Sequence, residues 1–297
     1  MNLIVGATGL LGSEISRRMS AHGHPPRVLV RDTSNPATVA ELKSLGADVL
    51  TGDLKRPASL GAACRGVTTV ISTASSTLSR QEGDSIESVD RQGQLDLIEA
   101  AEAAGVRHFV LISFPSVDVD FPLQAAKRAV ENRLGQSRMT HTILQPTFFS
   151  EVWLSPALGF DVANARAQIY GSGQNRISWI SFQDVARFAN AAVDNPRAAN
   201  TTIKLGGPDA LSPLDVVHLA EQLIGKPVEV QHVPEEALRA QHGAATDSLQ
   251  QSFAGLMLYY AGGDVIDMTD ANRAFAMQPT KSVREHLQGT LGIAAAG

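Results

Sequence analysis

The sequence predicts an α/β protein built on a doubly wound parallel sheet, on three observations. Its first half alternates short apolar runs with helical patterns, the rhythm of βαβ units. Its first apolar run, Met1-Asn-Leu-Ile-Val5, leads straight into Gly6-Ala-Thr-Gly9-Leu-Leu-Gly12 and then an amphipathic segment, Ser13 to Ala21. After Pro146 the rhythm breaks, which predicts a second, smaller α+β lobe over the crevice at the carboxyl ends of the strands.

Taken in order, the strands are expected at Asn2–Val5, Arg27–Val30, Asp48–Thr51, Thr68–Ser72, His108–Ser113 and His141–Gln145. Helices are expected near Leu10–Ala21, Pro36–Leu45, Ala58–Cys64, Asp84–Ala104 and Leu123–Gln136, with Gly105 ending the fourth as a C-terminal cap. Six strands in this order make a Rossmann-type sheet. Beyond Pro146, Phe148-Phe149-Ser-Glu-Val-Trp153-Leu-Ser-Pro156 is aromatic and aperiodic, and Tyr170-Gly-Ser-Gly173 reads as a turn. Ser181-Phe-Gln-Asp184 opens a capped helix, Thr201–Leu205 reads as a strand, and Ser212-Pro213-Leu-Asp215 opens a helix with proline at its first position. Val228–Val233 reads as a last strand. The domain division expected is 1–150 for the sheet domain and 151–297 mainly for a substrate lobe, with segments near 176–206 returning to the first. The lobe itself is expected from 145–160 and 207–297.

Composition narrows the function classes. The 297 residues are 43% hydrophobic and 19% charged, the make-up of an ordinary globular chain. A net charge of −5 with no long Lys/Arg run argues against nucleic acid or an anionic membrane as partner. No leader pattern opens the sequence and no apolar run is long enough to span a bilayer, so a cytoplasmic protein is expected. The single cysteine, Cys64, excludes an internal disulfide and reads as a small packed residue. The eight histidines show no zinc spacing, so no metal site is expected.

The glycine run carries the binding prediction. Gly6 allows a sharp turn, Gly9 lets the backbone approach a pyrophosphate, and Gly12 lets the helix pack closely on the strand. Unpaired N–H groups and the partial positive charge of the helix N-terminus then face the phosphates, with Thr8, Leu10 and Leu11 in the same turn. Arg31 and Asp32 close the second strand side by side. A carboxylate there suits the ribose hydroxyls of NAD, whereas the planar fork of arginine suits the 2′-phosphate of NADP. The reading leans to NADP, with NAD the alternative and a solvated surface charge the bland account of Arg31. Asp53, followed by Leu54, sits where it would meet the adenine edge, or else serves as a turn or cap residue. Ser72, Thr73 and Ala74 are small residues at a strand end, against which ribose and nicotinamide would lie.

The chemistry is expected at Ser113, ending the fifth strand, and Lys127 on the following helix. At 100° per residue Leu123, Lys127, Val130 and Leu134 fall within about 60° of one another, so Lys127 stands in an apolar stripe. It either snorkels outward to pair with Glu131 or faces a cleft and moves protons, since desolvation disfavours a charged amine.

The chain resembles the atypical short-chain dehydrogenase/reductases, specifically the NmrA-like group that includes quinone, azo-dye and isoflavone-type reductases. The resemblance is carried by Gly6–Gly12, Leu29-Val-Arg31-Asp, Gly52-Asp53, Val89-Asp90-Arg-Gln-Gly93-Gln with Leu97-Ile-Glu-Ala-Ala, and Val106–Ser113. It continues through Lys127-Arg-Ala-Val-Glu131, Thr142-Ile-Leu-Gln-Pro146-Thr-Phe-Phe149 and Ile180–Ala186, so it covers roughly residues 1–235. It implies catalytic roles for Ser113 and Lys127, which would also touch the cofactor, as would Pro146 and Phe148. Leu123 stands where the wider superfamily has the tyrosine of Tyr-x-x-x-Lys, and none of the three tyrosines, Tyr170, Tyr259 and Tyr260, has that spacing. Without a phenol donor, simple ketone reduction is disfavoured, and a conjugated acceptor that spreads charge after hydride arrives is favoured. The run Phe148, Phe149 and Trp153 is a candidate to stack on such a planar acceptor, its alternative being core of the smaller lobe, and Phe114-Pro115 would shape the same substrate mouth.

The expectation is therefore an NADPH-dependent reductase acting on a quinone, azo compound or enone, with a small molecule as its partner and a homodimer left open. The rival is a regulatory protein that senses NAD(P) without turnover and acts through a protein partner. Retention of Lys127 in an apolar stripe tips the balance to the enzyme.

Overall fold

The computed structural model describes residues 1–78 and 81–293. The first half runs β1 (Asn2–Val5), α1 (Leu10–Ala21), β2 (Arg27–Val30), α2 (Pro36–Ser44), β3 (Asp48–Thr51), α3 (Pro57–Cys64) and β4 (Thr69–Ser72). A π-helical stretch, Ile86–Gln92, then leads into α4 (Gly93–Ala103), followed by β5 (His108–Ile112), α5 (Pro122–Gly135) and β6 (Thr140–Pro146). The remainder is α6 (Ser150–Trp153), β7 (Phe160–Asp161), β8 (Arg166–Tyr170), β9 (Ile177–Ser178), α7 (Phe182–Ala192), β10 (Thr201–Leu205) and β11 (Ala210–Leu211). It closes with α8 (Pro213–Ile224), β12 (Glu229–Val233), α9 (Glu235–Ala244), α10 (Ser248–Gly262), α11 (Thr269–Phe275) and α12 (Val283–Leu291).

The main sheet has the order β10-β6-β5-β4-β1-β2-β3. The pairs β3–β2, β2–β1, β1–β4, β4–β5 and β5–β6 are all parallel, so strand order reverses between β1 and β4, the switch point of a doubly wound fold. All six strands expected in the first half form, and Thr201–Leu205 adds the seventh. Three of the central strands are almost wholly buried, the helices covering both faces, which is why they read as continuous apolar runs rather than alternating ones. Val5 lies opposite Leu29 and Ser72, and Ser72 opposite Leu111, so β1, β4 and β5 end nearly level. The register thus delivers Gly6, Thr73 and Ser113 to one edge of the sheet.

One helix departs from expectation. The segment expected as a single helix from Asp84 to Ala104 begins as a π-helical turn, capped by Ser85, and becomes α-helical only at Gly93. A Cβ on Gly93 would lie 2.8 Å from Leu54 Cβ and 2.8 Å from Ser88 O, so the chain approaches Leu54 more closely than a side chain allows. The π turn sets Ile86, Val89 and Asp90 on its buried side.

The chain forms two compact units: one of Met1–Phe114, Pro122–Gln145 and Val185–Ile203, the other of Pro115–Phe121, Pro146–Asp184 and Lys204–Gly297. The second contains a three-stranded sheet, β12-β8-β7, and a two-stranded one, β11-β9. Its core is aromatic, with Phe148, Trp179, Tyr259 and Tyr260 buried together. The segment after residue 235, which carries no diagnostic pattern in the sequence, is helical through α9–α12. No helix among the described residues is long and apolar enough to cross a membrane.

Candidate functional site

The first unit builds a phosphate cradle from backbone alone. Gly6 adopts a left-handed φ of 86°, and a Cβ there would meet Thr73 Oγ1 at 2.6 Å and Ala74 N at 2.8 Å. A Cβ on Gly12 would lie 2.2 Å from the carbonyl oxygen of Gly6. The turn is closed by the Gly9 amide donating to Gly6 O at 3.0 Å. Gly9 caps α1 without a side chain, and no carboxylate stands in the first turn of that helix. Its leading amides and positive dipole end are therefore left for an anion. Thr8 is half-buried, Leu10 exposed and Leu11 buried along this turn. The close backbone approach and the vacant cap fit the pyrophosphate of a dinucleotide.

Beyond β2, Arg31 is engaged in an ion pair. Its Nη1 lies 2.8 Å from Asp84 Oδ2, and Lys55 Nζ lies 2.7 Å from Asp84 Oδ1. The Asp84 carboxylate is almost wholly buried between these cations. Arg31 is thus not a plain solvated charge, while Asp32 is: it meets Arg56 at 3.1 Å, with both side chains exposed. Asp53 accepts from the Lys55 amide through Oδ1 at 2.9 Å, the turn role that was one of its two readings, and Leu54 is buried in the core.

At the edge where β4 and β5 end, the polar groups form two separate sets. Ser72 donates to Gln94 Oε1 at 2.8 Å, and Gln94 donates to Ala74 O at 3.2 Å, while Thr73 donates to Val5 O through its amide at 2.9 Å. Asp90, one helical turn before Gln94, accepts through Oδ2 from the Ser76 amide at 2.9 Å and the Ser76 hydroxyl at 2.6 Å. Its other oxygen lies 3.4 Å from Lys127 Nζ. The second set centres on Ser113, whose hydroxyl oxygen accepts from Arg128 Nη2 at 3.0 Å. The same nitrogen donates to Phe114 O at 2.6 Å and meets Glu131 Oε1 at 3.0 Å, and the guanidinium lies 5.5 Å from the centre of the Phe114 ring.

Lys127 and Ser113 thus belong to one unit but have different partners. The apolar stripe of α5 is buried at Leu123, Lys127, Val130 and Leu134, as its spacing implied. Lys127 does not snorkel to Glu131: it is 95% removed from solvent, as its 5% exposure states, and it faces Asp90, while Glu131 takes Arg128 and Gln145. The partners Asp90, Ser76, Gln94, Arg128 and Asp84 were not singled out from sequence. The local signals were the place of Asp90, Gln94 and Arg128 inside stretches that carry the family resemblance, and the i, i+4 spacing of Asp90 and Gln94, which puts two polar side chains on one helix face.

The aromatic candidates divide between the units. Phe114 sits half-buried beside Arg128 in the first. Phe148 in the second unit is enclosed by rings, edge-on to Trp153 at 4.9 Å and tilted against Tyr259 at 4.5 Å. Trp153 stacks on Tyr260 at 5.4 Å. Packing within the aromatic core, one of the two readings of this run, is therefore what the structure gives Phe148 and Trp153. Phe149 is half-buried and bridges to Ile180 through its backbone, and Pro146 is buried at the end of β6. All three tyrosines lie in this second unit. Burial raises the phenol pKa of Tyr170 and Tyr260, and Tyr259 donates to Asp264, whose pKa burial raises.

The sequence profile described as the NmrA-like family matches residues 2–283. The photosystem II assembly factor Ycf39 of Trieres chinensis is 32% identical over 234 residues, 78% of this chain and 72% of that protein. An NAD(P)H azoreductase of Xenophilus azovorans is 32% identical over 231 residues, 77% of this chain and 75% of that one. Among solved structures, an NADPH-dependent quinone oxidoreductase of Escherichia coli complexed with NADPH superposes with a TM-score of 0.77 at 22% identity, covering 98% of this chain and 100% of that one.

Proposed function

Because the chain belongs to the NmrA-like family, we propose that it is an NAD(P)H-dependent oxidoreductase that prefers NADPH and reduces a conjugated, planar acceptor of quinone, azo or enone type. The observation that carries this reading is the placement, in one unit, of a backbone phosphate cradle and a buried lysine at the carboxyl ends of the strands. The similarity to an azoreductase supports the acceptor class, and the presence of Arg31 and Lys55 beyond β2 and β3 supports NADPH.

Bound NADPH would supply a hydride from its nicotinamide. The chain would hold the pyrophosphate with the Gly6–Gly12 turn and the α1 amides, and the adenine end with Arg31, Asp53 and Leu54. Ser72, Thr73 and Ala74 would flank the nicotinamide ribose. Ser113 accepts a hydrogen bond from Arg128, which leaves its own proton free to be donated to an acceptor oxygen or nitrogen. Lys127 holds the proton that completes a two-electron reduction: its N–H bond breaks, the proton passes to the anionic atom of the acceptor, and water restores the ammonium. Leu123 offers no hydroxyl, so an acceptor that delocalises its developing charge is the one this site can reduce.

The similarity to an assembly factor favours a second reading, a regulatory protein that binds NAD(P) without turnover. A panel of quinones, azo compounds and enones, followed by loss of NADPH absorbance, separates the two. Turnover of at least one class, abolished by Lys127→Met, is expected. Tight NADPH binding with no oxidation by any acceptor would refute the enzyme and favour the regulator.

A further inference from the structure

The least explained group in the first unit is Asp90. It has no exposed surface, and it sits in a π-helical turn rather than an ordinary helix, where a regular α-helix would present its side chains at a different angle. A buried carboxylate is costly unless it is paired and hydrogen-bonded. Asp90 is both, in an asymmetric way. Oδ2 takes both donors of Ser76, whereas Oδ1 accepts no hydrogen bond and has only the Lys127 ammonium, at 3.4 Å. Lys127 in turn has three donors, and Asp90 is its one charged partner within reach among the described residues. Ser76 therefore fixes the plane of the carboxylate, and the carboxylate fixes the lysine, while the remaining N–H groups stay uncommitted.

We propose that Asp90 is the positioning residue for Lys127: anchored by Ser76 and aimed by the π-helical turn, it holds the ammonium pointed for proton delivery. This rests on the reductase reading above, with Lys127 as the proton-holding group. The groups that face Lys127 on this account are Asp90 from the π turn and, through it, Ser76 from the segment after β4. The side chains beside Lys127 on the stripe of α5, Leu123, Val130 and Leu134, are apolar and supply no competing charge.

The test uses Asp90→Asn in the full chain, which keeps shape and removes charge. With an acceptor that the wild type reduces, kcat is expected to fall by about tenfold or more, because the amine loses the anion that aims it at the reacting atom. The NADPH dissociation constant should stay within about twofold, and the alkaline limb of the pH–rate profile should move to lower pH. Asp90→Glu should recover part of the rate. In parallel, the rate at which Lys127 is acetylated by acetic anhydride, read by mass spectrometry at a fixed neutral pH, should rise in Asp90→Asn, because the amine has lost its anionic partner. This labelling needs no turnover, so it tests Asp90 even if the wild type oxidises no NADPH and the reductase reading fails. If Asp90→Asn does not fold, Ser76→Ala carries the same two measurements, with smaller changes in the same directions. Unchanged Lys127 labelling and an unshifted pH profile in a folded variant would overturn the proposal, as would a loss confined to NADPH affinity or thermal stability.

Discussion

Replacing Gly12 by alanine tests the cradle at its tightest point. The added Cβ would stand 2.2 Å from Gly6 O, 2.8 Å from Gly6 C and 2.9 Å from Ala7 Cα, all backbone atoms that cannot swing aside. Reaching the 3.4 Å of ordinary contact with that oxygen requires a relative movement of about 1.2 Å between α1 and the turn after β1. Overpacking of this kind costs about 1–3 kcal/mol, which for a unit of this size lowers Tm by roughly 2–12 °C. The functional cost is larger, because the same movement carries the α1 amides away from the phosphates, and displacement on the 1 Å scale at a positioned site is worth up to about 100-fold. NADPH affinity, measured by nicotinamide fluorescence titration, should therefore fall at least about tenfold in Gly12→Ala. Gly61→Ala is the matched control. Gly61 lies in α3, a Cβ there meets nothing within 4 Å, and alanine is the better helix former by about 1 kcal/mol, so that variant should melt slightly higher and bind NADPH normally. A Gly12→Ala protein that melts and binds like the wild type would refute the close approach and with it the phosphate cradle.

Other perturbations follow from the same geometry. Arg31→Ala should erase a preference for NADPH over NADH by removing charge-assisted contacts worth about 1.5–3 kcal/mol, and Asp84→Asn should enhance that preference, because its carboxylate competes for the same guanidinium. Equal wild-type affinity for the two cofactors, measured by titration, would end the NADP assignment. Burial lowers the pKa of His108, with a further push from His141, from an ordinary value of 6.5. The unfolded chain then takes up the proton first, so this contribution to stability is present above 6.5 and is lost as pH falls below it. The urea midpoint should drop between about pH 7.5 and pH 5.5, and drop less in His108→Gln; an identical drop in both would rule His108 out as a source. Burial also pushes the Cys64 thiol up to about 11, so native protein should resist iodoacetamide at neutral pH and react once unfolded in urea. Rapid alkylation of the native state would contradict the packed position of Cys64.

Much of this fold is written in short stretches of chain. The runs at Leu3–Val5 and Phe109–Ile112 read as strands because both faces of the sheet are covered and every position is apolar. Local pattern fails where the structure depends on a distant neighbour. Asp84 to Ala104 reads as one helix, yet Ile86–Gln92 is π-helical around an Asp90 tied to Ser76, and its passage at Gly93 is set by contact with Leu54. Lys127 stands out on its stripe, but the stripe is equally consistent with pairing to Glu131, and only folding brings Asp90 to it instead. Ser113 likewise owes its partner to Arg128, adjacent to the lysine and on the other side of the helix turn.

The sequence by itself determined the glycine turn, the parallel strand order around it and the family, because these rest on backbone sterics, periodicity and short spacings that hold wherever the chain is placed. The tertiary structure alone decided which polar group meets which: Asp90 with Lys127, Asp84 with Arg31 and Lys55, Arg128 with Ser113. Ion pairs and hydrogen bonds act over a few ångströms, and residues 15 to 53 positions apart come within that range only when sheet and helices have packed.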